Sequence, residues 1–176
     1  MKKLLIVVDY QNDFVNGSLG FPGAELLDPI IAGKIEAYRK AGDEIVFTLD
    51  THETNYMETQ EGRNLPIPHC IRGTPGHNLF GNTAGLCLPE DKVFEKPTFP
   101  SAELLMYLKD RKYESIELCG LVSSICVLSN AVLVKAALPE VPVFIDAEAT
   151  AAGDAKLHEE ALDILENLQV KVLNRK

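Results

Sequence analysis

Cys119-Gly120-Leu121-Val122-Ser123-Ser124-Ile125-Cys126-Val127 carries an apolar strand into a turn of small residues and on into a helix. A strand feeding a helix in this way is the building unit of a parallel α/β sheet, whose ligands bind outside the carboxyl ends of the strands. Cys126 stands at such an address. Just inside a helix N-terminus, a thiol feels the positive end of the helix dipole, which favours the thiolate and predicts a lowered pKa. The competing reading is a buried cysteine packing as a small hydrophobe.

Working outward, runs rich in Val, Ile, Leu and Phe predict six strands over residues 4–9, 44–50, 92–96, 115–120, 142–146 and 170–173. Helical patterns lie between most of them. Residues 26–41 end at Gly42, a C-terminal stop, and residues 102–112 follow Ser101, an N-cap. Residues 125–138 are apolar nearly all round, which predicts burial against the sheet or a partner. Residues 154–168 are amphipathic. Alternating strands and helices predict an α/β fold with a doubly wound, mainly parallel six-stranded sheet, helices on both faces and three layers. One domain over residues 1–176 is expected, interrupted by a weakly periodic stretch at 51–91. Loops of about 40 residues are uncommon and usually functional.

The chain has 176 residues, 46% hydrophobic and 24% charged, as in an ordinary globular protein. Its formal net charge of −9 argues against nucleic acid or an anionic membrane surface as a partner. No apolar run approaches the roughly 20 residues of a membrane span. The run after Lys2-Lys3 ends in Asp9 without a small-residue cleavage site, so it reads as a first strand rather than a signal peptide. Four cysteines without paired spacing read as reduced thiols in a cytoplasmic protein. Cys70, Cys87 and Cys119 are expected to be packing residues.

The polar residues that end the predicted strands converge on one rim: Asp9, Asp50, Lys96 and Asp146, with Cys126 just beyond the fourth strand. A carboxylate, an ammonium and a thiol together make coherent chemistry. Asp9 can accept the thiol proton, Lys96 can hold both charges, and Cys126 can attack a carbonyl to form a covalent intermediate. The turn before Cys126 would supply N–H groups to the oxyanion. A second group lies at Asp50-Thr51-His52, Glu61 and His69, whose oxygen and imidazole ligands suit Zn²⁺, Mn²⁺ or Fe²⁺. His77 reads as a loop residue, His158 as solvated, and Asp146 as a hydrogen-bonding strand end.

Three ordered segments resemble the isochorismatase-like cysteine hydrolases, and among them the nicotinamidases. They are Leu5-Ile6-Val7-Val8-Asp9-Tyr10-Gln11-Asn12-Asp13-Phe14, Phe94-Glu95-Lys96-Pro97 and Gly120-Leu121-Val122-Ser123-Ser124-Ile125-Cys126-Val127. The resemblance spans nearly the whole chain. It implies a catalytic Asp9–Lys96–Cys126 triad, an oxyanion hole from the N–H groups of Val122 and Cys126, and a cis peptide at Leu121–Val122. It further implies a divalent metal, zinc before manganese or iron, held by Asp50, His52, Glu61 and His69, with Glu58 as the alternative third ligand. Phe14 and Leu121 would face the substrate. The expected activity is release of ammonia from a small carboxamide, nicotinamide first, with a place in NAD salvage.

Two positions depart from the pattern. Pro66 stands where nicotinamidases usually place an aromatic, three residues before the last metal histidine, and Ser123-Ser124 replaces a Thr-Asp pair. These departures keep open a carbamoyl or ureido substrate. A catalytically silent binding protein and a hydrolase using metal-activated water are the other readings. The apolar helix after Cys126 is compatible with a homo-oligomer.

Overall fold

The computed structural model describes residues 1–175; Lys176, the last residue of the expected domain, lies outside them. In chain order the elements are β1 (Leu4–Val8), α1 (Asn12–Val15), α2 (Asp28–Ala41), β2 (Glu44–Asp50), α3 (Gln60–Asn64), α4 (Gly81–Leu86) and β3 (Lys92–Lys96). Then follow α5 (Ala102–Leu108), β4 (Ile116–Leu121), α6 (Leu128–Ala137), β5 (Val143–Ala151), α7 (Ala155–Asn167) and β6 (Lys171–Leu173). The strands form one sheet in the order β3-β2-β1-β4-β5-β6, with every pairing parallel. The order reverses between β1 and β4, which opens a crevice at their carboxyl ends. Asp9 follows one of these strands and Cys126 the other.

Strand alternation sorts β1 between two cores. Leu4, Ile6 and Val8 pack with Leu104, Leu108, Ala131, Val134, Leu162 and Leu165 from α5, α6 and α7. Leu5 and Val7 pack on the other face with Ile31 and Ile35 of α2. Each fully buried aliphatic side chain contributes about 1.5–3 kcal/mol, so a strand buried on both faces is fixed in register from both sides. At the centre Gly120 has φ 109, and a Cβ there would lie 2.0 Å from the Val8 carbonyl oxygen. Only glycine lets β4 run this close to β1.

The predicted stops at Gly42 and Ser101 are present: Gly42 adopts φ 74, and the Ser101 hydroxyl accepts the Leu104 N–H at 3.1 Å. Elsewhere the boundaries differ. α5 ends at Leu108 rather than 112 because the chain turns through Asp110 at φ 69. β5 runs on past 146 to Ala151, after a register irregularity opposite Leu118 and Gly120. Its second half, Ala147-Glu148-Ala149-Thr150-Ala151, has mostly weak strand formers, but Thr150 Oγ1 donates to the Gly120 carbonyl at 2.8 Å and secures the pairing. Asp146 therefore lies inside a strand, not on the rim. The expected helix at 125–138 is a wide π-type turn, Ser123–Val127, followed by α6. Ala131 and Val134 of α6 face the core, whereas Val132 and the preceding Ile125 are exposed. The 51–91 stretch contains α3, α4 and two short 3₁₀ turns, Tyr56–Glu58 and Pro75–His77. No helix among the described residues is long and apolar enough to cross a membrane.

Candidate active site

β1 delivers Asp9 to the crevice in an unusual backbone conformation, φ 45, that turns the chain as soon as the strand ends. Thr48 Oγ1, from the neighbouring strand, donates to Asp9 Oδ1 at 2.7 Å. Lys96, the last residue of β3, is buried and brings Nζ to 2.5 Å from Asp9 Oδ2, 3.6 Å from Cys126 Sγ and 3.5 Å from Asp50 Oδ1. Nζ also donates to the Thr98 carbonyl at 3.1 Å. Three strand-end residues predicted to meet do meet.

The protonation expected of Cys126 is reversed. Burial, followed by the Asp9 carboxylate, pushes its thiol well above the ordinary value, and Lys96 offsets only part of this. The thiol lies within a turn enclosed by the core, and loss of hydration disfavours its thiolate. Burial also raises the Asp9 pKa, against the opposing pull of Lys96. Burial disfavours the Lys96 ammonium too, but its anionic neighbours, Asp9 first, outweigh that and hold it charged. The resting arrangement is a thiol beside a carboxylate of raised basicity, with a permanent cation touching both.

Asp50, the last residue of β2, connects this group to a second one. Its Oδ2 lies 3.1 Å from His52 Nε2 and 3.2 Å from His69 Nε2. Glu61 Oε1, from α3, is 3.6 Å from the first imidazole and 3.7 Å from the second. One ligand atom from each of Asp50, His52, Glu61 and His69 falls within 4.8 Å of the others. His69 Nδ1 is engaged by the Ile67 carbonyl at 2.8 Å, which leaves Nε2 to face the cluster. Two imidazoles and two carboxylates around one point are a donor set suited to a divalent transition metal. Burial would raise the Asp50 pKa, but the hydrogen bonds from His52 and His69 and the Lys96 charge hold it well below the ordinary range. Glu58 is exposed and is not among the clustered residues, whereas Glu61 is.

A cavity of about 300 Å³ joins the two groups. Asp50, Glu61, His69 and Cys126 lie at its polar side, and Phe14, Phe21, Phe99 and Val122 are among its apolar walls. Leu121 is not brought to it. That side chain is fully buried in the core with Val7, Cys119 and Ala149, and the next residue, Val122, lines the cavity instead. The Leu121–Val122 peptide is cis. Pro66 is exposed and absent from the lining; its neighbour Leu65 faces the cavity.

A family model described as Isochorismatase domain matches residues 3–176. The chain belongs to the isochorismatase family. It is 34% identical over 144 residues to the isochorismatase family protein PncA of Bacillus subtilis (strain 168), covering 75% of this chain and 78% of that one. A crystal structure of nicotinamidase/pyrazinamidase PncA from Bacillus subtilis superposes with a TM-score of 0.87 at 32% identity, over 99% of this chain and 100% of that one. The pyrazinamidase of Pyrococcus horikoshii, solved in complex with zinc, gives 0.83 at 26% identity, over 99% and 100%. Membership makes the protein an isochorismatase-family hydrolase.

Several residues that build this isochorismatase-family site carry no signal in the sequence reading. Gln11, fully buried, accepts the Asp50 N–H at 2.8 Å and donates to the carbonyls of Asp50 (2.9 Å) and His77 (2.8 Å). Asp13 Oδ2 accepts the Cys70 N–H at 2.7 Å, just beyond His69. His77 is a buried anchor rather than a free loop residue, with Nε2 2.8 Å from Thr51 Oγ1. Tyr56 sets its ring against both His52 and His69, with centroids 4.7 and 5.1 Å apart. Asn130 donates to the carbonyls of Cys126 (2.8 Å) and Phe99 (3.2 Å), tying the thiol's turn to the cavity wall. His158 is half-buried rather than fully solvated: its Nδ1 lies 2.9 Å from the hydroxyl of buried Ser123. Phe99, in Pro97-Thr98-Phe99-Pro100 directly after Lys96, has a local signal that could have marked it: an aromatic beside a motif residue.

Proposed function

We propose that this hydrolase is a nicotinamidase, a metal-containing cysteine amidohydrolase that converts a small heteroaromatic carboxamide to its carboxylate and ammonia. One observation carries the reading: Lys96 Nζ touches Asp9, Cys126 and Asp50 at once, joining a nucleophile to a metal-type cluster on the edge of one aromatic-lined cavity. Nicotinamidase/pyrazinamidase as the name of the Bacillus subtilis neighbour supports it. The reading takes residues 1–176 as one domain, with 51–91 as its metal and substrate segment.

Asp9 takes the thiol proton as Cys126 Sγ attacks the carboxamide carbon, and Lys96 offsets the charge that remains. The backbone N–H groups of Val122 and Cys126 receive the oxyanion; a donor of this kind is worth about 3 kcal/mol in the transition state. Collapse breaks the C–N bond, and the nitrogen leaves as ammonia with the proton from Asp9. Asp9 then accepts a proton from water, whose oxygen attacks the thioester. The second collapse breaks the C–S bond and Asp9 returns the proton to sulfur. Asp50, His52, Glu61 and His69 would hold the divalent ion, zinc in our reading, as in the Pyrococcus horikoshii structure. When bound, it supplies a fixed positive centre for a ring nitrogen or water, which orients the amide. Phe14, Phe21 and Phe99 give the ring apolar walls where Pro66 gives none.

The test is ammonia release by zinc-loaded protein from nicotinamide, run beside pyrazinamide and a panel of carbamoyl and ureido acids. Turnover of nicotinamide that disappears in Cys126→Ala is the expected result. Turnover confined to the ureido acids would overturn the substrate, and full activity in Cys126→Ala would overturn the covalent route.

A further inference from the structure

Cys126 lies in a π-type turn, Ser123–Val127, and such turns lack the regular hydrogen-bond ladder that fixes an α-helix. Within it the Ile125 and Val127 N–H groups both donate to the Val122 carbonyl, at 3.0 and 3.2 Å, and side chains at its two ends add to that hold. At the Cys126 end, Asn130 binds the residue's carbonyl. At the other end stands Ser123, whose hydroxyl is fully buried. A buried hydroxyl needs a partner, and among the described residues it finds one on a distant element: His158 Nδ1, on the first turns of α7, at 2.9 Å. The imidazole is itself carried rigidly. Asp154 caps α7 by accepting the N–H groups of Lys156 and Leu157, and its carbonyl accepts the His158 N–H at 3.0 Å. Gly153, just before that cap, lines the cavity. Burial lowers the ring's pKa and so favours the neutral imidazole, and in the tautomer protonated on Nε2 its Nδ1 accepts the hydroxyl proton.

We propose that His158 is a positioning residue: by holding the Ser123 hydroxyl it fixes the start of the turn and so the distance of Cys126 Sγ from Lys96 Nζ. It touches neither substrate nor reacting atoms. The inference rests on the reading of Cys126 as nucleophile, but it can be tested without substrate, through the rate at which Cys126 is alkylated by iodoacetamide.

The discriminating pair is His158→Asn against His158→Gln. From the same Cβ, an asparagine amide oxygen reaches the place of Nδ1 and can accept the Ser123 hydroxyl proton, whereas the glutamine oxygen reaches that of Nε2. The Gln and Ala variants are expected to lose about tenfold in kcat and in Cys126 alkylation rate, with KM nearly unchanged, because a small misplacement of a reacting group costs rate. His158→Asn should regain most of both. On a Ser123→Ala background, His158→Ala should cost nothing further, since the hydroxyl it held is gone. Melting temperatures of all variants separate this from simple loss of packing. Equal behaviour of Asn and Gln, unchanged kcat and labelling in His158→Ala, or losses that add to those of Ser123→Ala would each overturn the proposal. Ammonia release by Cys126→Ala would instead defeat the nucleophile reading, and the alkylation results on Cys126 would still judge the clamp.

Discussion

Two lysines in this protein each sit between two carboxylates, and only one of them builds a site. Lys34, on α2, places Nζ 2.8 Å from Glu117 and 2.5 Å from Asp146. Lys96 places its Nζ 2.5 Å from Asp9 and 3.5 Å from Asp50. Around Lys34 the remaining acceptors are taken: Tyr38 donates to Glu117 at 2.7 Å and Asn174 to Asp146 at 3.0 Å. That network ties α2 and the C-terminal segment to the middle of the sheet. Around Lys96 the third neighbour is a thiol, the supporting backbone is turned at Asp9, and an apolar cavity borders the group. The pKa directions divide the same way. Burial opposes both charges of the Lys34 pair, yet their mutual hydrogen bonds prevail, so Lys34 is raised and Asp146 lowered. Burial prevails at Asp9 and Cys126, which are left poised to exchange a proton. A buried ion pair is thus structural when every valence is satisfied inside it; it becomes a site when a reactive group and a cavity replace one partner.

Substituting each lysine by methionine gives the largest contrast. Lys96→Met should lower kcat/KM by about a thousandfold or more, because the members of the proposed triad would act as a unit. It should also destabilise the fold by about 3–5 kcal/mol, since Asp9 and Asp50 lose a buried counter-ion. Lys34→Met should cost about 1–3 kcal/mol and leave kcat at the wild-type value. Steady-state kinetics and urea unfolding on the same preparations check both. Loss of kcat in Lys34→Met would break the division.

The contrast was only half legible in the sequence. Asp9, Asp50 and Lys96 were read correctly as strand ends because short strands with abrupt polar stops mark the rim of a parallel sheet. Asp146 looked the same, yet β5 continues through Ala147-Glu148-Ala149, residues whose strand conformation comes from pairing with β4 rather than from their own propensity. Residue type and spacing only suggested the metal-type cluster; the family resemblance carried most of that reading. Its supports at Gln11 and Asp13 were not legible, since they act through backbone groups far away in sequence. His158 was misread for a related reason: its neighbours Glu159 and Glu160 are exposed, and nothing local reveals that it faces Ser123. The thiol's pKa could not be read either, because burial by tertiary packing decides it.

Chelation sharpens the comparison at the next level of effect. Metal removal should lower turnover by more than the roughly 10–100-fold that loss of one supporting residue costs, restored by zinc, with metal content near one ion per chain measured by elemental analysis. His69→Ala should lose that ion. Gln11→Ala, which frees the Asp50 backbone without touching the ligands, should weaken metal affinity by about tenfold. Lys34→Met should retain the full metal content. An Asp50 cluster that binds no ion in any of these preparations would remove the metal from the proposed mechanism.

The smallest effect is a difference in sign. Asp146 has a folded pKa below its ordinary 3.8, so its contribution to stability is complete above that value and is lost as pH falls through the folded pKa. Asp146→Asn should therefore be less stable than wild type near neutrality, by about 1 kcal/mol, with the gap closing as pH drops below 3.8. Asp9 has the opposite displacement, because burial raises its pKa from 3.8. The folded state holds that proton more tightly than the unfolded one, so ionising Asp9 costs stability as pH rises through the folded pKa. Relative to wild type, Asp9→Asn should gain stability with rising pH where Asp146→Asn loses it. Urea unfolding across the acidic and neutral range reads both slopes. Parallel slopes would mean that Asp9 is as well satisfied as Asp146, and a carboxylate so satisfied would be a poor acceptor for the Cys126 proton.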